Sequence, residues 1–575
     1  MPRFDPIYTN FSAGEFSPLL TGRVDLEKYQ SGCEILENFQ PRPHGPAVRR
    51  GGFRFIAEAK FSDQACRMIP FDTGASSGLF HLEFGDNYIR FYTEGGQLQE
   101  TPPTAYEIAT TYDEEELLEL NYLQDANTLY IFHASHAPAK LVRNDTFDWV
   151  LSDISWTSEP TEWGAGNYPG TGAFYEQRML VGGVLSDPGT IWGSKIADFF
   201  NLTIGTLDDD AFAYVINTDK ISLVQWFSSG EVLAVGTSGA EYKMMSTTFN
   251  ETITPTNVKI VRQTNYGAAN VLPIRIGSRV LFVQKGQLKV RNFAYSIESD
   301  AYSSKDLTLL SEHITYPRIL QADYQNEPDS IGWYVREDGE LAGVSYEPEF
   351  DITGWFRIVT NGQIESLSVT DGFLDNRYDD VYVSIKRFID GATVRYIEKL
   401  ERPLSREEEV TEAFYVDSGL SYDEGVPTDT FAGLEHLEGE TVQVLADGAV
   451  HPDVVVTGGE IVLQYEATRV HAGLAFNSTL KTMRVEGGNP IGTSQGRIKR
   501  INRCYARLYR TVGVLVNGER YFMGPPIMNE PVPLFTGDVE VPVDDGYDEA
   551  GQIEIVQNQP LPMVIIAIMP EVRTQ

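Results

Sequence analysis

Seven times along this chain an apolar run, a short polar or glycine-containing turn and a second apolar run follow one another. The units begin at Leu79, Thr128, Arg178, Glu231, Arg279, Ile331 and Val381. Successive starts lie about 50 residues apart, a period that fits four-stranded propeller blades. A lone hairpin cannot bury both of its apolar faces, and its free edges invite pairing with other chains. Radial stacking of successive sheets solves both problems. The expectation is therefore an all-β fold, a β-propeller of seven or eight blades with additional small β domains forming a platform. A helical solenoid is excluded, because apolar spacing of 3.6 is nearly absent. The clearest unit spans residues 174–202, FYEQRMLVGGVLSDPGTIWGSKIADFFNL. It reads as a strand over 178–184, a Ser186-Asp187-Pro188-Gly189 turn and a strand over 190–193. Pro presets φ and Gly accepts φ > 0, so the turn has a mechanism. Met179 and Trp192 read as core anchors, and Asp198-Phe199-Phe200-Asn201 as an exposed aromatic corner.

Composition agrees with strands: aromatic residues make up 11%, and 51 Gly and 30 Pro supply turns. At 575 residues the chain exceeds one ordinary core, so two to four domains are expected. Residues 1–57 read as an N-terminal arm. In it Leu26, Tyr29, Cys33 and Leu36 fall on one face of a short helix that Asp25 would cap. An Arg-rich segment follows, with Arg42, Pro43, Arg49, Arg50 and Gly51. It serves either salt bridges or docking on an acidic partner surface. The propeller is expected over 58–404. A charge run at 405–410 marks a boundary, 405–495 reads as a small β-barrel or sandwich, and 496–575 as a C-terminal β region packing back as a platform.

The net charge of −37 argues against a protein that grips DNA or an anionic membrane by charge, which needs clustered Lys and Arg. It is compatible with a wall past which DNA slides without sticking. Three widely spaced cysteines imply no disulfide framework and folding in a reducing cytosol. No apolar stretch near the N-terminus reads as a signal peptide, and no run approaches the ~18 residues of a membrane span.

Catalytic constellations are not evident: there is no Walker A sequence, no G-x-S-x-G and no zinc-type Cys-x-x-Cys pair. His133 and His136 are three apart on strand-like backbone, which would put them on opposite faces. They read as polar rim residues and not as a metal site. Asp208, Asp209 and Asp210 offer oxygen ligands but lack EF-hand spacing, so they read as a solvated acidic loop or part of an acidic lumen. Neither cofactor nor metal is expected, and the chain does not read as an enzyme. Carboxylate pairs for glycoside hydrolysis stay open, since the two acids can be distant in sequence.

The passage from Cys33 to Gly52, with Asn38, Arg42, Pro43, Arg50 and Gly51 in place, resembles the start of the tail nozzle proteins of short-tailed bacteriophages, also called tail tubular protein B. Arg178, Trp192, Ser194, Asp198, Phe199 and Phe200 are similar to that family's strand–corner passage. Residues 208–211, Ile221 and Leu233 look like the segment after it, and Gly496-Arg497-Ile498 and Gln559-Pro560-Leu561-Pro562 like its closing region. The resemblance is spread over most of the chain, and the order of the motifs carries it. It implies a β-propeller virion protein at the distal end of the tail, assembled in the host cytoplasm as a homohexamer. That ring would attach to a tail adaptor ring protein, help hold a tail fibre or tailspike, retain the genome and pass double-stranded DNA during ejection. Arg178 and Asp198 would orient blades through hydrogen bonds and charge pairing. Two other classes compete with the conduit: a propeller-fold tail enzyme or lectin acting on host surface glycan, and a cytosolic propeller scaffold for protein partners.

Overall fold

The computed structural model describes residues 3–74, 78–216, 221–248, 251–373, 377–487, 493–521, 531–543 and 546–574. Among these residues seven antiparallel sheets succeed one another as the blades of a propeller. Blade 1 holds Arg67–Asp72, Leu79–Gly85 and Tyr88–Thr93, with Gly96–Gln97 and Glu107–Ala109 on its outer edge. Blade 2 runs from Asn121–Asp125 to Asp148–Asp153, blade 3 from Thr171–Tyr175 to Phe212–Val215, and blade 4 from Val224–Ser228 to Val258–Thr264. Blade 5 runs from Ile274–Ile276 to Ala301–Asp306, and blade 6 from Ile319–Gln325 to Ile352–Ile358.

The ring closes in blade 7. Gln363–Thr370, Asp380–Ile389 and Ala392–Leu400 supply its inner three strands, and the N-terminal strand Phe53–Glu58 supplies the fourth, with Leu400 opposite Phe53 and Tyr396 opposite Glu58. The first strand of blade 7 packs on the first strand of blade 1. Strand Phe53–Glu58, which the sequence assigns mostly to the arm, is thus part of the propeller.

Each hairpin read from the sequence is the second and third strand of a blade. The second strands Leu79–Gly85, Arg178–Gly182, Leu233–Thr237 and Ile331–Arg336 are buried along their whole length. Neighbouring blades cover both of their faces, so they read as mostly apolar runs, with polar exceptions such as His81 and Glu83 buried among them.

Regions outside the ring extend two blades sideways. Beyond Phe53–Glu58 the sheet of blade 7 continues through Asp417–Ala432, Glu460–Leu474, Thr441–Ala446 and Ala449–Val455, making eight strands. Residues 405–495 therefore do not close on themselves as a separate barrel or sandwich. Phe431, Leu437, Val444 and Ile461 share one core with Ile389 and Tyr396 of blade 7. Blade 6 continues through Gly14–Glu15, Gly32–Glu37, Ser478–Thr482, Glu554–Gln557, Val514–Val516 and Glu519–Tyr521. A further sheet places Val564–Thr574 between Ala47–Arg49 and Lys499–Thr511. One continuous core joins Trp333, Phe356 and Val383 of the blades to Val514, Ile555 and Ile565 near the C-terminus.

The short helix expected around residues 26–36 is absent. Glu27–Ser31 is a 3₁₀ turn and Gly32–Glu37 a strand. Asp25 does not cap it but forks with the Arg23 guanidinium at 2.8 Å. Pairing of this strand with Ser478–Thr482 and Gly14–Glu15 outweighs the local apolar spacing. Cys33, Cys66 and Cys504 are buried free thiols. Among the described residues no helix is long and apolar enough to cross a membrane.

Candidate functional site

The Arg-rich segment builds a buried, densely bonded polar site. Asn38 sits at φ +57°, a left-handed conformation that Asn tolerates better than most residues. Its Nδ2 donates to the Val359 and Asn477 carbonyls at 2.9 and 2.6 Å. Its Oδ1 accepts from Arg50 Nε at 2.8 Å and from the Val359 amide at 2.9 Å. Arg50 is fully buried and places all five N–H donors: on Asn38, on the Gly51 and Val359 carbonyls, and twice on Asp417 at 2.8 Å. Its guanidinium also lies over Phe476, 3.7 Å from the ring centroid. Asp417 accepts further bonds from the Phe53 amide and Thr360 Oγ1. Burial alone would raise the Asp417 carboxyl, but Arg50, Arg387 and Thr360 hold it below its ordinary value.

Thr360 also accepts from Arg387, which forks onto buried Glu398 at 2.6–2.7 Å. Arg49, equally buried, donates to Ser478 Oγ and to the Gln559, Leu561 and Phe476 carbonyls. Gly51 and Gly52 lie directly against the Glu401 and Val416 carbonyls, where a Cβ would collide with backbone. Arg42 is half-buried and ion-paired to Asp329, beside half-buried Pro43. Of the two roles open to this segment, the structure gives Arg42 and Arg50 carboxylate partners within the chain.

The second motif is also architectural, but its bonding differs from expectation. Arg178 is buried and binds carbonyls, not carboxylates: those of Ser194 at 2.5 Å, Asp210 at 2.6 Å and Asp208 at 2.6 Å. It thereby fastens the acidic loop to blade 3. Buried Ser194 accepts from the Met179 amide at 2.9 Å. Trp192 is buried edge-on to Trp163. Asp198 is exposed and takes its bond from Asn201 within the same turn, so it orients no neighbouring blade. The aromatic corner is not exposed. Phe199 packs 4.8 Å from Phe174, and Phe200 packs against Trp156 and Tyr130 of the preceding blade. In the acidic loop, Asp208 and Asp209 are exposed and Asp210 half-buried, with Asp209 paired to Lys195 at 3.0 Å.

The propeller axis is crossed by side chains. Asn121, on the first strand of blade 2, donates to Asn270 Oδ1 at 2.8 Å and to the Gly170 carbonyl at 2.9 Å. Asn270 immediately precedes the part of the chain that enters blade 5, three blades away, so the two amides meet across the ring. Gln321 of blade 6 donates to the Leu367 carbonyl of blade 7 and the Met68 carbonyl of blade 1, at 2.6 and 3.1 Å. An axis bridged in this way leaves no room for a nucleic-acid duplex within a single propeller. Nearby, half-buried Asp323 accepts from the Val369 amide, and desolvation pushes its carboxyl up to about 7.

A cleft of about 390 Å³ opens where blades 6 and 7 meet the Arg-rich segment. Its carboxylates are engaged: Asp329 by Arg42, Asp380 by Lys399 at 2.7 Å and Glu401 by Arg54 at 2.5 Å.

The two histidines are not on opposite faces. His133 ends one strand, Ala134 and Ser135 turn, and His136 begins the next. They form a cross-strand pair with ring centroids 5.3 Å apart. A two-residue hairpin loop without Gly or Asn gave no turn signal.

No family model matches this chain, and no curated protein matches it. Among solved structures it is similar to the WD40 repeats of RRP9, with a TM-score of 0.38 and 10% identity over 62% of this chain and 100% of that one. It is also similar to BBS1N, solved in complex with ARL6DN and soaked with lead, with a TM-score of 0.37 and 10% identity over 63% of this chain and 99% of that one.

Proposed function

We propose that this protein is a structural subunit of a short bacteriophage tail: the distal nozzle, a homohexamer that retains the genome and passes it during ejection. It docks on an adaptor ring and helps to hold fibres or tailspikes. One observation supports this reading above the others. The residues that carry the resemblance near the N-terminus, Asn38, Arg50 and Gly51, are committed to a single buried hub. That hub ties the N-terminal segment to blade 7 and to the strands beyond it, which suits a scaffold better than a catalytic centre. The bridged propeller axis adds a constraint: DNA would run between copies, along the axis of the ring, past walls drawn from a chain of net charge −37.

The test is native mass spectrometry of the purified full chain, alone and with its adaptor protein, combined with electron microscopy of particles. A hexamer and density on the tail axis are expected. A stable monomer that cleaves or binds polysaccharide would replace this reading with the glycan-acting alternative.

A further inference from the structure

The hairpin tip of blade 2 faces the 3₁₀ helix Glu114–Glu119, which leads into that blade. Nitrogen and oxygen atoms of Glu116, His133 and His136 converge there, all within 4.8 Å of one another. His136 Nε2 lies 2.7 Å from Glu116 Oε2. His133 is only 3% exposed, and its Nε2 makes no hydrogen bond. That nitrogen lies 3.4 Å from Glu119 Oε2, on a side chain that is 69% exposed.

We propose that Glu116, His133 and His136, with exposed Glu119 swinging in as a fourth ligand, form a binding site for one divalent ion of the zinc class, which clamps the blade 1–blade 2 connection onto the tip of blade 2. Two imidazoles with carboxylates suit zinc, whereas calcium and magnesium take all-oxygen shells. In a tetrahedral site with bonds of about 2.0–2.1 Å, neighbouring ligand atoms stand ~3.4 Å apart. The His133–Glu119 pair already has that separation. The His136–Glu116 pair, at 2.7 Å, must open by about 0.7 Å as the ion replaces the shared proton. Each ligating imidazole must carry its hydrogen on Nδ1. His136 Nδ1 lies 3.4 Å from Thr111 Oγ1, which can accept it. His133 Nδ1 instead accepts from the Ser135 amide at 3.2 Å, so loading moves the His133 proton to Nδ1 and ends that contact. Exposed Glu119 leaves the ion a route in from solvent. This proposal stands apart from the assignment to a phage tail.

The test uses the full chain, stripped with chelator and titrated with Zn²⁺ by calorimetry and thermal melting. H136A and E116Q serve as variants because both side chains are partly exposed. H44A, at an exposed histidine elsewhere, is the control. The expected result is one tight equivalent per chain and a melting temperature raised by several degrees, with affinity at least tenfold weaker in H136A and E116Q and unchanged in H44A. Mg²⁺ and Ca²⁺ at the same concentration should produce no shift. Absence of a stoichiometric zinc site, or wild-type affinity in both H136A and E116Q, would overturn the proposal.

Discussion

Arg50 and Asp417 meet in a fork of two 2.8 Å hydrogen bonds, and neither side chain reaches solvent. Removing one partner strands a buried charge, which costs about 3–5 kcal/mol. R50A and D417A should therefore each lower the denaturation midpoint strongly. R50K should recover little of the loss, because one ammonium cannot occupy five fixed donor positions. Equal midpoints for R50K and wild type, measured by urea unfolding, would show that the fork is not what stabilises this junction.

Gly52 should accept no side chain. A Cβ there would overlap the Val416 carbonyl, which belongs to backbone and cannot swing aside. G52A is expected to yield little soluble folded protein. G22A, where a Cβ meets nothing within 4 Å, should melt within ~0.5 kcal/mol of wild type.

Arg178 restrains the loop carrying Asp208, Asp209 and Asp210 by donating to backbone carbonyls on both sides of it. R178A should leave those carbonyls without their donor, at about 1–3 kcal/mol for each that stays buried. Limited proteolysis should then cut between residues 203 and 211 well before the propeller melts. An unchanged cleavage pattern would mean that the loop is held by other contacts.

Asp323 makes stability depend on pH with a defined sign. Burial raises its folded value to about 7, whereas the unfolded chain releases this proton near pH ~4. Folding thus favours the protonated form, and the contribution of this group falls as pH rises from ~4 to ~7, by at most ~4 kcal/mol. D323N retains an acceptor for the Val369 amide without the charge, so it should be more stable than wild type at pH 8 and lose that advantage at pH 4. Parallel melting curves at both pH values would contradict this.

Half-buried His436 and buried His471 act in the opposite direction. Burial lowers both His436 and His471 to about 4. The unfolded chain binds these protons near pH ~6.5, so their contribution is fully present above that pH and is lost as pH falls towards 4. H471Q should flatten the acid limb of a melting-temperature profile, and an unchanged limb would remove His471 from the account.

The propeller was legible because the second strand of each blade is covered on both faces and so is written as a mostly apolar run, as in LFHLEFG, where His81 and Glu83 are the polar exceptions, and IGWYVR. The first strands were not legible. They are lined up on the axis and carry Arg67, Asn121, Gln321 and Asp323, whose partners lie in other blades or in the connections between blades. The histidine pair was misread for a local reason, a two-residue turn with no turn residues, which converts opposite faces into one.

Local sequence thus determined the second and third strands of each blade and their spacing, since apolar periodicity and turn residues act over a few positions. It also marked Asn38, Arg50 and Arg178 as notable without indicating what they bond. Only the tertiary structure decided that Arg50 would meet Asp417, 367 residues away, and that Phe53–Glu58 would close the ring. It likewise decided which strands after residue 405 would extend blades 6 and 7 and which would form a separate sheet. Those choices depend on which buried charge finds a partner and which sheet edge finds a strand, and both are properties of the assembled core that no short window of sequence contains.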